Sequence, residues 1–193
     1  MALFKPTSGG GGNKFTGICE MGIISYKDRS AEFDWADIFI EVEMGIKDSA
    51  YTRHIRIRGS MEKDANGNIT GGSVLNRMYK FFEAIGCKAG VNLTGGWEGE
   101  SGDSIEDIEE YLNKNHTTKE DTFPYYGYVY KEENKKTGNS YNNIHYRLFP
   151  STSQGNVDLA SHIKWMKDNG YIKEASNKPK EQVQMSEAGL DIL

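Results

Sequence analysis

The feature that most constrains this chain is an unbroken alternation. Residues 35–46, WADIFIEVEMGI, place Ala36, Ile38, Ile40 and Val42 on one side and Trp35, Asp37, Phe39, Glu41 and Glu43 on the other. A period of two, with aliphatic residues on one face, makes a strand that buries one side and shows the other to solvent. After the connection KDSA, residues 51–59 (YTRHIRIRG) repeat the pattern. Ile55 and Ile57 oppose Thr52, His54, Arg56 and Arg58. The two segments read as an antiparallel hairpin whose second strand is basic, in a chain of formal net charge -5. Either its arginines pair with Glu41 and Glu43 across the hairpin, or they face an anionic ligand.

The remaining elements fall around this hairpin. Residues 15–26 read as a preceding long strand, with Gly17 and Gly22 as places to bend. DANGN at 64–68 is a turn. A helix follows, with Ser73 as N-cap, Leu75, Met78, Phe82 and Ile85 on one stripe, and Gly86 as its stop. Residues 87–122 form an insertion with an acidic helix capped by Asp103 or Ser104; nine acids face two lysines between residues 98 and 121. That helix is either a solvated face or an acidic rim that competes with nucleic acid. Strands at 123–132 and 140–150 flank a basic loop, and a helix spans 158–170. Three strands, a helix and two strands is the order of an OB barrel. The expected class is thus mainly β with α: a five-stranded OB-fold with a helix between strands three and four, the acidic insertion before strand four, and a C-terminal helix. The expected organisation is a disordered glycine-rich leader (1–14), the barrel (15–150), the helix (151–172) and a flexible tail (173–193).

Motifs for catalysis are missing from the sequence. The four histidines form no i,i+4 pair, no metal spacing involves Cys19 or Cys87, and neither a phosphate loop nor a nucleophile elbow occurs. The expectation is a non-enzyme without metal or cofactor. Two isolated thiols suit a reducing cytoplasm. No signal-peptide core and no apolar run of membrane-spanning length occurs.

A binding role has more behind it, because rings and cations share predicted strand faces. Trp35 and Phe39 lie outward on strand two, with Arg53, His54, Arg56 and Arg58 on strand three. Tyr126, Tyr128 and Tyr130 share one face of strand four, and Tyr141, Asn143, His145 and Arg147 share one face of strand five. Lys131, Lys135 and Lys136 lie in or beside the loop between those two strands, a loop with which OB barrels bind oligonucleotides. Unpaired bases stack on aromatic rings and cations follow the phosphates, so these fourteen residues (Asn143 and His145 aside) are the expected interface for single-stranded nucleic acid. The alternatives are a structural or protein-interaction module of a phage particle that uses the same face for assembly, and an enzyme or nuclease accessory acting through His54, His145 and nearby acids.

The series HIRIRGS, SVLNRMYKFFEAIG and FPYYGYVYKEENKKTGNSYNNIHYRLFP resembles the OB-fold single-stranded DNA-binding proteins encoded by bacteriophages. Leu75 to Gly86, then Gly138, Tyr141, Asn142, Ile144 and Pro150, occupy the matching positions, over roughly residues 15–150. The long acidic insertion and the helix after the barrel depart from that pattern. The resemblance implies coating of single-stranded DNA in replication or recombination, in the cytoplasm of a bacterial host. It also implies recruitment of replication or recombination proteins by a C-terminal tail, for which SEAGLDIL supplies Glu187 and Asp191 beside Leu190, Ile192 and Leu193. Oligomeric state is left open by the sequence, a homodimer included.

Overall fold

The computed structural model describes residues 16–133 and 137–172. The expected leader, the tail with its recruiting tip, and Lys135 and Lys136 lie outside the described residues. The fold is mainly β with three α-helices. Its frame is β1 (Gly17–Asp28), β2 (Ile38–Ile46) and β3 (Thr52–Gly59), with a single 3-10 turn at Ser30–Glu32 between the first two. β2 begins three residues later than the alternation suggested, which leaves Trp35 on the connection. The alternation itself holds: Ile38, Ile40, Val42, Met44 and Ile46 are buried, as are Ile55 and Ile57 opposite them.

A short hairpin, β4 (Glu62–Lys63) and β5 (Ile69–Gly71), surrounds the DANGN turn. There the Asp64 carboxylate accepts the backbone N–H of Asn66 and of Asn68, both at 2.8 Å. α1 (Ser73–Ala84) buries Val74, Leu75, Met78, Phe81 and Phe82. Ser73 opens the helix rather than capping it; Gly72 holds the cap position, with no side-chain cap bond.

The insertion is more ordered than its composition implied. β6 (Gly90–Val91), β7 (Trp97–Glu98) and β8 (Ser104–Ile105) form a small antiparallel sheet. α2 (Ile108–Asn115) follows, capped by Asp107, whose carboxylate accepts the Glu110 N–H at 2.9 Å. Ser104, a cap candidate, is in β8 instead. The acidic helix is no loose appendage, since Ile108 and Leu112 enter the main core. The Asn113 amide accepts from Tyr26 N–H and donates to Tyr26 C=O, each at 2.9 Å, and Glu109 accepts the Asp28 N–H. These side chains satisfy the edge of β1 where no strand pairs with it.

The chain completes its frame with β9 (Tyr125–Glu133), β10 (Ser140–Ile144), β11 (Phe149–Pro150) and α3 (Ser153–Asp168). The main sheet runs β10–β9–β1–β2–β3, with every paired strand antiparallel and β11 also on β9. The expected closed barrel is an open sheet: no ladder joins β3 to β10, although their Cα atoms come within 8 Å. The last expected strand, 140–150, splits in two. At the break the Arg147 N–H turns to its neighbour His145 Nδ1 (3.2 Å) rather than to another strand.

α3 packs across β9 and β11, forming a second apolar cluster of Tyr128, Leu159, Ile163, Met166 and Ile172. Thr152 caps the helix through the Gly155 N–H at 3.0 Å. At Gly155 the helix rides so close to β11 that an added Cβ would lie 1.9 Å from the Pro150 carbonyl oxygen. Alanine is the better helix former, so Gly155→Ala separates propensity from packing. The close approach predicts a loss of about 1–3 kcal/mol in thermal or urea unfolding, where propensity alone predicts a gain.

Candidate nucleic-acid interface

Two aromatic and cationic surfaces emerge, and they divide the expected residues differently from the strand pattern. The first lies on the outward side of β2 and β3, beside the β1–β2 connection. Phe33, Trp35 and Phe39 form a cluster, with ring centres 5.1 Å apart for Phe33–Phe39 and 5.8 Å for Phe33–Trp35. The Arg29 guanidinium lies 5.3 Å from the Phe39 ring centre on this cluster, and Arg58 lies 5.6 Å from Phe39 and 5.8 Å from Trp35. Phe39 is thereby 2% exposed, which corrects its assignment as a stacking surface. Trp35 is 51% exposed and offers its indole to solvent beside the Arg58 cation.

The basic strand resolves into separate roles. Arg56 Nε donates to Glu41 Oε2 at 2.6 Å, and Arg29 shares that carboxylate at 3.7 Å. His54 stands opposite Glu43 in the ladder. Arg53 alternates with Ile55 on the face away from Arg56 and Arg58, and its Nη1 donates to the Thr52 carbonyl at 2.9 Å. It does not join the outward cations. Of the β3 cations, only Arg58 combines exposure and aromatic contact with no ion pair to a carboxylate among the described residues. Tyr141 of β10, 47% exposed, stands near enough for Arg58 to lower its phenol pKa. Burial and Glu132 outweigh that pull and leave the phenol raised.

The tyrosines of β9 are not an open floor. α3 covers their face, leaving Tyr128 5% exposed beneath Leu159, Ile163 and Met166, with Lys167 Nζ 5.3 Å above its ring. Tyr130 stacks on Tyr128 at 5.8 Å and accepts from Asn143 Nδ2 at 3.1 Å; burial, then Glu132, pushes its phenol up to about 12. Tyr126 is half-buried against the same cluster. Burying a ring of this size contributes roughly 1.5–3 kcal/mol to packing, so these rings hold the helix on the sheet. Lys131 alternates with Val129 and lies on the opposite face from the tyrosines.

The second surface flanks the break between β10 and β11. The Arg147 guanidinium covers the Phe149 ring at 5.2 Å and approaches His162 of α3 at 3.5 Å. His162, Trp165 and Tyr171 follow as nearly parallel rings, 6.1 and 5.3 Å apart. Of these, only Arg147 was expected at an interface. The i,i+3 spacing of His162 and Trp165 on a lysine-bearing helix was the available signal. Arg29 and Phe33 were likewise missed, because nothing local marks a residue before a strand as its partner.

Among the described residues no group of three or more His, Cys, Asp or Glu could hold a metal ion, and no helix is long and apolar enough to cross a membrane. No family model, curated protein or solved structure matches the chain.

Burial depresses the pKa of His145 to about 4, helped by repulsion from His162 and Arg147. An unfolded imidazole titrates near 6.5. Between those values the unfolded chain binds more protons, so stability falls on acidification and is retained above about pH 6.5. Urea unfolding is expected to show about 2 kcal/mol less stability from this group at pH 5 than at pH 7, with a shallower pH slope in His145→Gln.

Proposed function

We propose that the chain coats single-stranded DNA in replication or recombination with an open, OB-like sheet, binding by base stacking and phosphate contacts with little sequence preference. The observation that carries this reading is the exposed Trp35 indole beside the Arg58 cation, which is in no ion pair among the described residues, on the outward side of β2 and β3. OB barrels bind oligonucleotides on that side of strands two and three, with the connections between strands one and two and between four and five at its rims. Here the β1–β2 connection supplies Phe33 and Trp35, and the β9–β10 pair contributes Tyr141. Sheet order also supports the OB likeness, since β3 and β10 are the two edges and lie close together. An aromatic platform next to a cation is what an unpaired base and its phosphate need.

The reading gives each residue a different expected loss. Fluorescence anisotropy with an unstructured deoxyoligonucleotide should report binding that weakens steeply with salt. RNA and duplex measured alongside, at two salt concentrations, read the preference among nucleic acids. Stacking is worth about 1–3 kcal/mol per base, so Trp35→Ala should weaken affinity by roughly tenfold or more without lowering the melting temperature. Arg58→Ala should reduce the log–log salt slope by about 0.7. Tyr128→Ala should act through stability, costing about 3 kcal/mol. A protein that elutes as a large oligomer with no oligonucleotide affinity at low salt would instead be an assembly module.

A further inference from the structure

α1, the break between β10 and β11, and α3 enclose a groove of about 680 Å³. Its cations are Arg77, Lys80 and Arg147, and no carboxylate lines it. For a chain of net charge -5 this is an unusual local balance, and it favours an anion.

The histidines sharpen the chemistry. His145 is 6% exposed, and its Nδ1 accepts the Arg147 backbone N–H, so the neutral ring carries its proton on Nε2. The Arg147 guanidinium, which can only donate, faces His162 Nδ1, so that ring also carries its proton on Nε2. Both Nε2–H groups, and Arg77 Nε–H, lack an acceptor among the described residues. A buried donor left without a partner costs about 1–3 kcal/mol. These atoms are themselves out of solvent contact, so the groove's cations and exposed rings set its ligand class, and phosphate oxygens suit them as acceptors only.

The groove also has a stacking wall. Trp165 and Tyr171 are more than half exposed and nearly parallel, 22° apart in plane. It adjoins the strand of the first surface: Arg77 Nη2 donates to the Arg58 carbonyl oxygen at 2.8 Å. We propose that the groove is a second nucleotide-binding segment, which receives the backbone and bases of a single strand as it leaves the Trp35–Arg58 face. Phosphates meet Arg77, Lys80 and Arg147, and bases stack on Trp165 and Tyr171. The inference rests on the single-strand-binding reading, and it makes the bound track pass the edge of β3 and α1 to end on α3.

The test uses the full chain and a thymidine oligonucleotide of about 16 nucleotides, the upper site size of one OB-fold. Anisotropy is read for wild type, Lys80→Gln, the pair Lys80→Gln with Arg147→Gln, and Trp165→Ala. Lys80 and Trp165 are exposed, so their variants keep the test open if the Arg147 change disturbs folding. Trp165→Ala and the pair are each expected to weaken binding about five- to tenfold. The log–log salt slope should become shallower by about 0.7 for each cation removed, a change that lost packing would not produce. Wild-type binding with unchanged affinity and slope in all three variants overturns the groove while leaving the first surface intact. Absence of wild-type binding at low salt overturns the single-strand reading and this inference with it.

Discussion

Every part of this structure depends on β1 being shared. Its first half, Gly17 to Met21, pairs with β9, and its second half, Met21 to Asp28, pairs with β2; Met21 alone carries both ladders. One strand can serve two sides in succession only if it bends, and its register with β2 shifts between Ile23 and Ser25. Close packing leaves no slack at the bend. A Cβ on Gly22 would lie 2.5 Å from the Thr122 carbonyl oxygen, so the chain approaching β9 lies directly against β1. Where β9 no longer covers β1, side chains of α2 take over its polar groups. The acidic insertion therefore completes the sheet rather than decorating it.

That arrangement explains how an acidic protein presents two basic surfaces. Many of its carboxylates are already engaged: Glu41 by Arg56, Asp37 by Lys63 and the Met61 N–H, Glu109 by β1, and Asp107 and Asp64 by backbone donors. Asp37 is held below the usual carboxylate range, first by Lys63 and then by the Met61 N–H. Net charge sums over the whole chain, whereas a polyanion at a surface feels charges within about a Debye length, roughly 8 Å at physiological salt. Neither Arg58 nor Arg147 is in an ion pair among the described residues.

The local parts of the fold were legible in the sequence, and the contacts between distant parts were not. Alternation identified β2 and β3 and the buried partners Ile40, Val42, Ile55 and Ile57. The DANGN turn and the stop at Gly86, where φ is 70°, follow from local backbone chemistry. Alternation cannot say what lies above an outward face, however. Tyr126, Tyr128 and Tyr130 do share one face of β9, but a helix from twenty-odd residues further along the chain covers it. Phe39 also faces outward, and neighbours from the β1–β2 connection enclose it. The pairing of Arg56 with Glu41 was one of two readings that the hairpin allowed, and the 2.6 Å contact decides for it.

The covered tyrosines change what binding would require energetically. A sheet of three exposed tyrosines would hold bases along its length by stacking alone, at about 1–3 kcal/mol each. With that face spent on α3, the proposed track would stack bases on Trp35 and on the Trp165–Tyr171 wall, with Tyr141 near Arg58. Few platforms set among arginines make phosphate contact the larger share of the affinity, and salt would then govern binding more than base identity does. Under the proposed reading α3 is both a structural and a binding element. Its inner residues Leu159, Ile163 and Met166 fix it on β9, and the same docking brings His162 and Trp165 beside Arg147. A change that loosened the helix would remove one wall of the groove and uncover the tyrosines at once, exchanging one aromatic surface for another.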